Sequence, residues 1–227
     1  MSRYVYRDSR YSSHAKILQL AGKPQEQQVE CIDIGCASGY VTQLLHRNGW
    51  KVLGIDIEPH LQTRDLNVDK KVKFQCLDFM TADISHLKER YDLVVVGDVV
   101  EHIFSTQEAL ARIKSFMKQD GRLIISVPNI VNIHTRISIF LGRFNYQERG
   151  PLDNTHVRFF TFKTFRKHLE EAGLREEIAT YTGLPLYHYL NPKHRFLTNL
   201  LMSVLQSLAR LRPSLFAYQF IYVCSKK

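Results

Sequence analysis

Five short and almost wholly apolar runs recur from Val29 onward: VECIDI, KVLGID, VKFQCL, YDLVVVG and RLIISVP, each separated from the next by an amphipathic stretch. A strand covered on both faces reads as a near-continuous hydrophobic run. Strands that alternate with helical segments need crossover connections, and these give a parallel sheet with helices on both sides. The order therefore predicts a doubly wound α/β domain with a seven-stranded, mostly parallel sheet, antiparallel near its final strand.

Local punctuation places the helices. Gly49 follows VTQLLHRN, and Ser105 with Glu108 reads as a capping box opening QEALARIKSFMK, which Gly121 then stops. Thr161 is placed to cap FKTFRKHLEEAG, where Phe162, Phe165, Leu169 and Ala172 recur at helical spacing and Gly173 ends the turn. A sixth strand is expected over residues 176–181. A long apolar helix follows over 196–211, then a break at Pro213 and a last strand in FAYQFIYVCSK. The polar, Tyr-rich residues 1–28 read as a lid or helix laid over the site, and residues 29–227 as the main domain. Within that domain, residues 130–160 are expected to form an insertion shaping an acceptor pocket, and 195–227 the terminal helix and last strand.

With 227 residues and 44% hydrophobic content the chain can bury one core, which excludes a disordered protein and favours a single decorated domain. Cys31, Cys36, Cys76 and Cys224 lie in apolar or strand-like runs with no C-x-x-C pairing, so neither a disulfide framework nor a zinc site is suggested. No apolar stretch in the first residues suits a signal-peptide core, and no uninterrupted apolar run reaches membrane-spanning length. Reduced thiols and a cytoplasmic location are the expectation. The 31 Lys and Arg against 22 Asp and Glu give a net charge of +9, consistent with an anionic partner or with an unspecialised basic surface.

The segment CIDIGCASGYVTQLL carries the densest information: a strand reaches Asp33, turns through Gly35 and Gly39, and runs straight into a helix. A ligand approaches such a turn closely only where no Cβ intrudes, and the N–H groups at the helix start favour polar or anionic groups. One strand later, GIDIEP puts Asp56 where a carboxylate can accept both hydroxyls of a ribose. A nicotinamide dinucleotide would also suit a crevice of this kind, but Ala37 stands where the second glycine of G-x-G-x-x-G would fall. Alanine is compatible with this turn if its φ stays negative.

DIGCASG followed by GIDIEP, LDFM, YDLVVVGDVVEHI and GRLIISVPN resembles the class I S-adenosylmethionine-dependent methyltransferases, a Rossmann-like fold, over nearly the whole chain. The resemblance implies S-adenosylmethionine as methyl donor. It implies that Asp33, Gly35, Cys36, Ala37 and Gly39 form the turn at the methionine end, that Asp56 holds the ribose, and that Ile57 flanks the adenine. Asp78 and Phe79 would meet the adenine amine and face, with Gly97, Asp98 and Val99 closing the pocket floor.

Methyl transfer needs alignment of acceptor, methyl and sulfur plus removal of the acceptor's proton. DVVEHI sets Asp98, Glu101 and His102 at the carboxyl end of the fourth strand, and GPLDNTHVRFF supplies Asp153 and His156 from the loop after the fifth. Two readings stand. In one, His102 or His156 takes the proton directly, with Glu101 or another nearby carboxylate holding the ring tautomer. In the other, Asp98, Glu101, His102 and His156 hold a divalent cation that acidifies the hydroxyl. The pattern is similar to the E-x-x-E-H motif with a downstream histidine in small-RNA 2′-O-methyltransferases and to a related motif in ubiquinone-pathway O-methyltransferases, with the first glutamate replaced by Asp98.

The stretch IFLGRFNYQERGPLDNTHVRFFTFKTFRKHLEEAGL is similar to bacterial methyltransferases of the type 11/12/23 group linked to polysaccharide biosynthesis, which implies O-methylation of a saccharide hydroxyl on a glycan, nucleotide sugar or lipid-linked sugar. Phe140, Phe144 and Tyr146 with Arg143 and Arg149 would offer such an acceptor rings and phosphate contacts, or would bind RNA; a solvated basic loop is the plainer reading. A small-molecule acceptor of the ubiquinone or natural-product type is the alternative. Outside catalysis, the chain reads as an S-adenosylmethionine-binding partner subunit or sensor. HRFLTNLLMSVLQSLARLRP is amphipathic with Arg195, Arg210 and Arg212 at its ends, suiting peripheral contact with the inner membrane face, packing on the sheet, or a homodimer face as against a monomer.

Overall fold

The computed structural model describes residues 9–26, 29–58, 72–186 and 195–227. In chain order these form α1 (Ser13–Ala21), β1 (Glu30–Ile34), α2 (Tyr40–Arg47), β2 (Lys51–Asp56), β3 (Lys73–Cys76), β4 (Tyr91–Gly97), α3 (Thr106–Phe116) and β5 (Met117–Pro128). There follow α4 (Ile133–Phe140), α5 (Phe162–Glu171), β6 (Leu174–Thr182), α6 (Arg195–Leu211), α7 (Pro213–Phe216) and β7 (Gln219–Lys226).

The seven strands form one sheet in the order β3-β2-β1-β4-β5-β7-β6. β1 to β5 run parallel, and β7 enters antiparallel between β5 and β6. The doubly wound reading is thereby met, including the reversed last strand. Because side chains alternate along a strand, each central strand feeds two cores. On β4, Leu93 and Val95 join Ile17, Ala21, Leu45, Trp50 and Val52 on the face covered by α1 and α2. Val94 and Val96 join Leu110, Ile113, Phe165 and Leu169 on the face covered by α3 and α5.

Three local expectations need correction. Ser105 stands at the N-cap of α3, but its side chain makes no capping hydrogen bond, so the Ser105–Glu108 box does not form. The helix stops at Phe116 rather than near Gly121. Met117 already pairs with Tyr91 and Arg122 with Leu93, so the residues between them bulge, and a Cβ on Gly121 would stand 2.8 Å from the Tyr91 carbonyl oxygen. Pro213, expected only to break the chain, opens the short α7, where its missing N–H costs nothing. At α5 the capping box does form, between Thr161 and Thr164.

Residues 1–8 of the N-terminal segment lie outside the described residues. Its helix α1 is capped by Ser12, whose hydroxyl accepts from the Ala15 N–H at 3.1 Å, and it buries Ile17 and Ala21 against the sheet. Among the described residues no helix is long and apolar enough to cross a membrane.

Candidate functional site

The carboxyl ends of β1, β2 and β4 open onto a cavity of about 1190 Å³. Asp33 near the end of β1 is buried, and the Thr42 hydroxyl donates to it at 2.6 Å. Burial pushes its carboxyl up to about 7, against the pull of that hydrogen bond. The turn beyond it is fastened to β2 twice over. The Gly35 and Cys36 N–H groups both donate to the Ile55 carbonyl, at 2.8 and 3.1 Å, and Asp56 Oδ2 accepts from the Ala37 N–H at 2.8 Å. A Cβ at Gly35, which has φ 71°, would run into Val99.

Ala37 itself has φ 45°, so the expectation of a negative φ at this position is wrong. A left-handed alanine costs about 1–2 kcal/mol, and the Asp56 carboxylate holds the peptide in that conformation. Gly39, at φ 70°, is the N-cap of α2, and a Cβ there would lie 2.6 Å from the Phe74 ring. It shapes the turn from behind, outside the cavity wall, where a direct contact at the methionine end had been expected.

Asp33, Gly35, Cys36, Ala37, Asp56, Ile57, Asp78, Phe79, Gly97, Asp98 and Val99 all line the cavity. Asp56 Oδ1 also accepts from the Glu58 N–H at 3.0 Å, so each of its oxygens holds one backbone donor and retains acceptor capacity toward the cavity. Asp78 accepts from the Met80 N–H at 2.9 Å and the Thr81 hydroxyl at 2.8 Å, which fixes the turn after β3.

Asp98 is held by side chains of two other strands. Its φ is 55°, its Oδ1 accepts from the Ser126 hydroxyl at 2.8 Å, and its Oδ2 accepts from the Gln219 amide. Among the described residues the group able to converge on a cation is Glu101, His102 and His156, with ligand atoms within 4.8 Å of one another. Asp98 is not part of this converging group, and its two oxygens accept from Ser126 on β5 and Gln219 on β7 instead.

Glu101 and His102 sit in a 3-10 turn over Val100–His102, directly after β4. The chain returns beside them because the Val157 and Arg158 N–H groups donate to the Glu101 carbonyl at 2.9 and 3.0 Å. The two imidazoles pack edge to face with centroids 4.8 Å apart. His102 Nδ1 faces the Thr155 carbonyl at 3.2 Å, and His156 Nδ1 faces the Pro151 carbonyl at 3.4 Å. A carbonyl only accepts, so each Nδ1 donates and each neutral ring keeps its lone pair on Nε2.

His156 Nε2 lies 3.9 Å from Glu101 Oε1, and neither Glu101 oxygen has a hydrogen-bond partner. Burial, then the Asp98 charge, raises the Glu101 carboxyl well above its ordinary range. Burial, then His102, lowers His156, so its ring stays neutral. Asp153, also on the wall, accepts from the Thr155 N–H at 2.9 Å and hydroxyl at 2.6 Å and orders the loop that carries His156.

Sequence reasoning missed several wall residues: His14, Phe104, Thr182, Pro185, Tyr218 and Gln219. Of the aromatic and basic residues proposed for the acceptor, Arg149 lines the cavity, whereas Phe140, Phe144 and Tyr146 are exposed outside it. They do not form a stacking face within the pocket.

A family model described as a methyltransferase domain matches residues 5–177. The chain is 28% identical over 174 residues to the mitochondrial ubiquinone biosynthesis O-methyltransferase of Bos taurus, an alignment covering 72% of this chain and 45% of that protein. It is 25% identical over 189 residues to the ubiquinone biosynthesis O-methyltransferase of Coxiella burnetii, covering 75% and 74% of the two. The chain thus spans under half the length of the bovine relative. A crystal structure of an S-adenosylmethionine-dependent methyltransferase from Archaeoglobus fulgidus superposes with a TM-score of 0.60 at 19% identity, over 88% of this chain and 86% of that one. That likeness is one of fold.

Proposed function

Since the chain belongs to the methyltransferase-domain family, we propose that it transfers the methyl group of S-adenosylmethionine to a hydroxyl of a small-molecule acceptor. The observation that carries the reading is one continuous cavity with an acidic, glycine-turned donor end and a histidine pair on its acceptor side. Asp56 accepts the ribose hydroxyls with the capacity its two backbone contacts leave over. The Gly35–Ala37 turn lies against the methionine portion, and Asp78 and Phe79 bound the adenine.

On the acceptor side, the Nε2 lone pair of His102 or His156 takes the hydroxyl proton as oxygen attacks the methyl carbon in line with sulfur. The Thr155 and Pro151 carbonyls hold both rings in the tautomer this requires. Ubiquinone biosynthesis O-methyltransferases act on small molecules by name, which favours an acceptor of that size. A saccharide hydroxyl is the narrower proposal, supported by Arg149, which alone of the suggested contacts lines the cavity.

A second reading rests on Glu101. A buried carboxylate without a hydrogen-bond partner, facing two imidazole lone pairs, fits a divalent cation held by Glu101, His102 and His156. Such a cation would acidify the acceptor hydroxyl. Calorimetry with S-adenosylhomocysteine tests the donor site, and absence of heat on folded protein removes the proposal. Turnover of His102→Ala and His156→Ala, with and without chelator, separates the two forms of proton removal.

A further inference from the structure

The loop that leaves β3 is held by a residue of another element. Asp78 and Phe79 line the cavity, with Leu77 and Met80 beside them. Within the loop, the Thr81 and Ala82 N–H groups donate to the Asp78 carbonyl at 3.2 and 2.9 Å, and the Asp78 carboxylate accepts from the Met80 N–H and the Thr81 hydroxyl. These bonds close the turn on itself. The Phe79 and Ala82 carbonyls take their donors from outside it.

Arg112, in α3, supplies both. Its Nε donates to the Phe79 carbonyl and its Nη2 to the Ala82 carbonyl, each at 2.6 Å. A guanidinium is a planar fork, so two bonds from one group fix the direction of the loop as well as its distance. The side chain is half-buried and lies outside the cavity wall, lining a separate groove of about 510 Å³ with Thr81, Ala82 and Ile84. Thr81, Asp83 and Ser85 beside it are exposed, so water would satisfy both carbonyls in its absence. Water supplies no fixed direction.

The helix that carries the fork is itself fixed. Leu110 and Ile113 are fully buried and share the core with Phe165 and Leu169 of α5. At its start α3 follows the turn of Glu101 and His102. One rigid element therefore bears on the histidine wall directly and on the Asp78–Phe79 wall through Arg112.

We propose that Arg112 is a positioning residue for the adenine, holding Asp78 and Phe79 where the one meets the exocyclic amine and the other the ring face. The inference rests on the reading of this cavity as a donor site. Without the fork the loop has more than one orientation, and a ligand must first order it.

Calorimetry with S-adenosylhomocysteine and with S-inosylhomocysteine, in which hypoxanthine replaces adenine, tests this. Hypoxanthine carries a carbonyl oxygen where adenine carries the amine, and a carboxylate cannot bond to it. The wild-type protein is expected to prefer the adenosyl ligand by about tenfold or more. Arg112→Met is expected to weaken S-adenosylhomocysteine roughly tenfold and to shrink that preference by about threefold or more. Arg112→Lys, a point charge without the fork, recovers part of both. In an Asp78→Ala background Arg112→Met leaves the preference where Asp78→Ala has put it, since the group it positions is gone.

A wild-type preference in both Arg112 variants overturns the proposal, whether or not affinity falls, because a packing defect weakens the two ligands alike. So does a preference that shrinks as much without the Asp78 carboxylate as with it, or the absence of any preference in the wild-type protein. Where thermal unfolding shows Arg112→Met to be unfolded, Arg112→Lys carries the same comparison. No heat from the wild-type protein with either ligand is a different result, read before any variant is made, and it removes the donor-site reading together with this inference.

Discussion

The Asp56 carboxylate at the end of β2 accepts a hydrogen bond from the Ala37 N–H at 2.8 Å and so ties the second strand to the turn that leaves the first. A residue assigned from sequence to the ribose alone also holds the backbone of the turn. Ala37→Gly removes the left-handed penalty and is expected to stabilise the protein by about 0.5–1 kcal/mol, net of the entropy glycine adds to the unfolded chain. Asp56→Ala loses the tie and the proposed ribose contact together, so donor affinity is expected to fall at least tenfold in calorimetry while the Ala37→Gly protein keeps it.

Of His102→Ala and His156→Ala, the one that removes the base is expected to lower turnover by about 10²- to 10⁴-fold with donor binding retained, and comparing the two identifies it. Glu101→Gln separates the two forms of proton removal. Glutamine mimics a neutral carboxylic acid, so the variant keeps most of its activity if the histidines act directly. If Glu101 ligates a cation, the variant loses it, and Mn²⁺ binding followed by electron paramagnetic resonance falls with the activity.

Asp33 gives the donor-free protein a pH signature. Its carboxyl is raised from 3.8 to about 7 by burial, so between those values the folded state keeps a proton that the unfolded state has lost. Stability from this group is full below about pH 3.8, declines as pH rises through the interval, and levels off above 7. The decline amounts to about 4 kcal/mol at the upper limit. Urea denaturation across pH 4.5 to 7.5 measures it, and Asp33→Asn is expected to flatten the curve.

Gln219 bridges the sheet to the cavity floor, donating to Asp98 while its own carbonyl accepts from the Thr182 hydroxyl at 3.2 Å. Gln219→Leu leaves one oxygen of a buried carboxyl without its donor and is expected to cost about 1–3 kcal/mol. A double-mutant cycle with Ser126→Ala, read by denaturation, shows coupling if both side chains hold the same Asp98 conformation.

The sheet was legible in the sequence because β1, β2, β4 and β5 are apolar on both faces, a pattern no surface strand shows. The turn on the cavity wall was legible because a glycine turn leaves a local mark. Ala37 misled because its positive φ depends on Asp56, one strand away, and no local pattern records that hydrogen bond. Asp98 misled for the same reason: its neighbours in sequence suggested a ligand, and Ser126 and Gln219 claim it from two other strands. Thr182, Tyr218 and Gln219 carried no signal because the antiparallel entry of β7 is what brings them to the cavity. The Ser105 box failed because its spacing was right but its side chain makes no hydrogen bond to the helix.

The wedging of β7 between β5 and β6 also bears on the order in which the molecule is made. The ribosome delivers β1, β2 and β4 early, and the Gly35–Ala37 turn they carry can close while synthesis continues. β6 has no neighbour within the sheet until β7 follows it out. A half-made chain therefore has the Asp33 and Asp56 wall of the cavity before it has the wall supplied by Thr182, Tyr218 and Gln219.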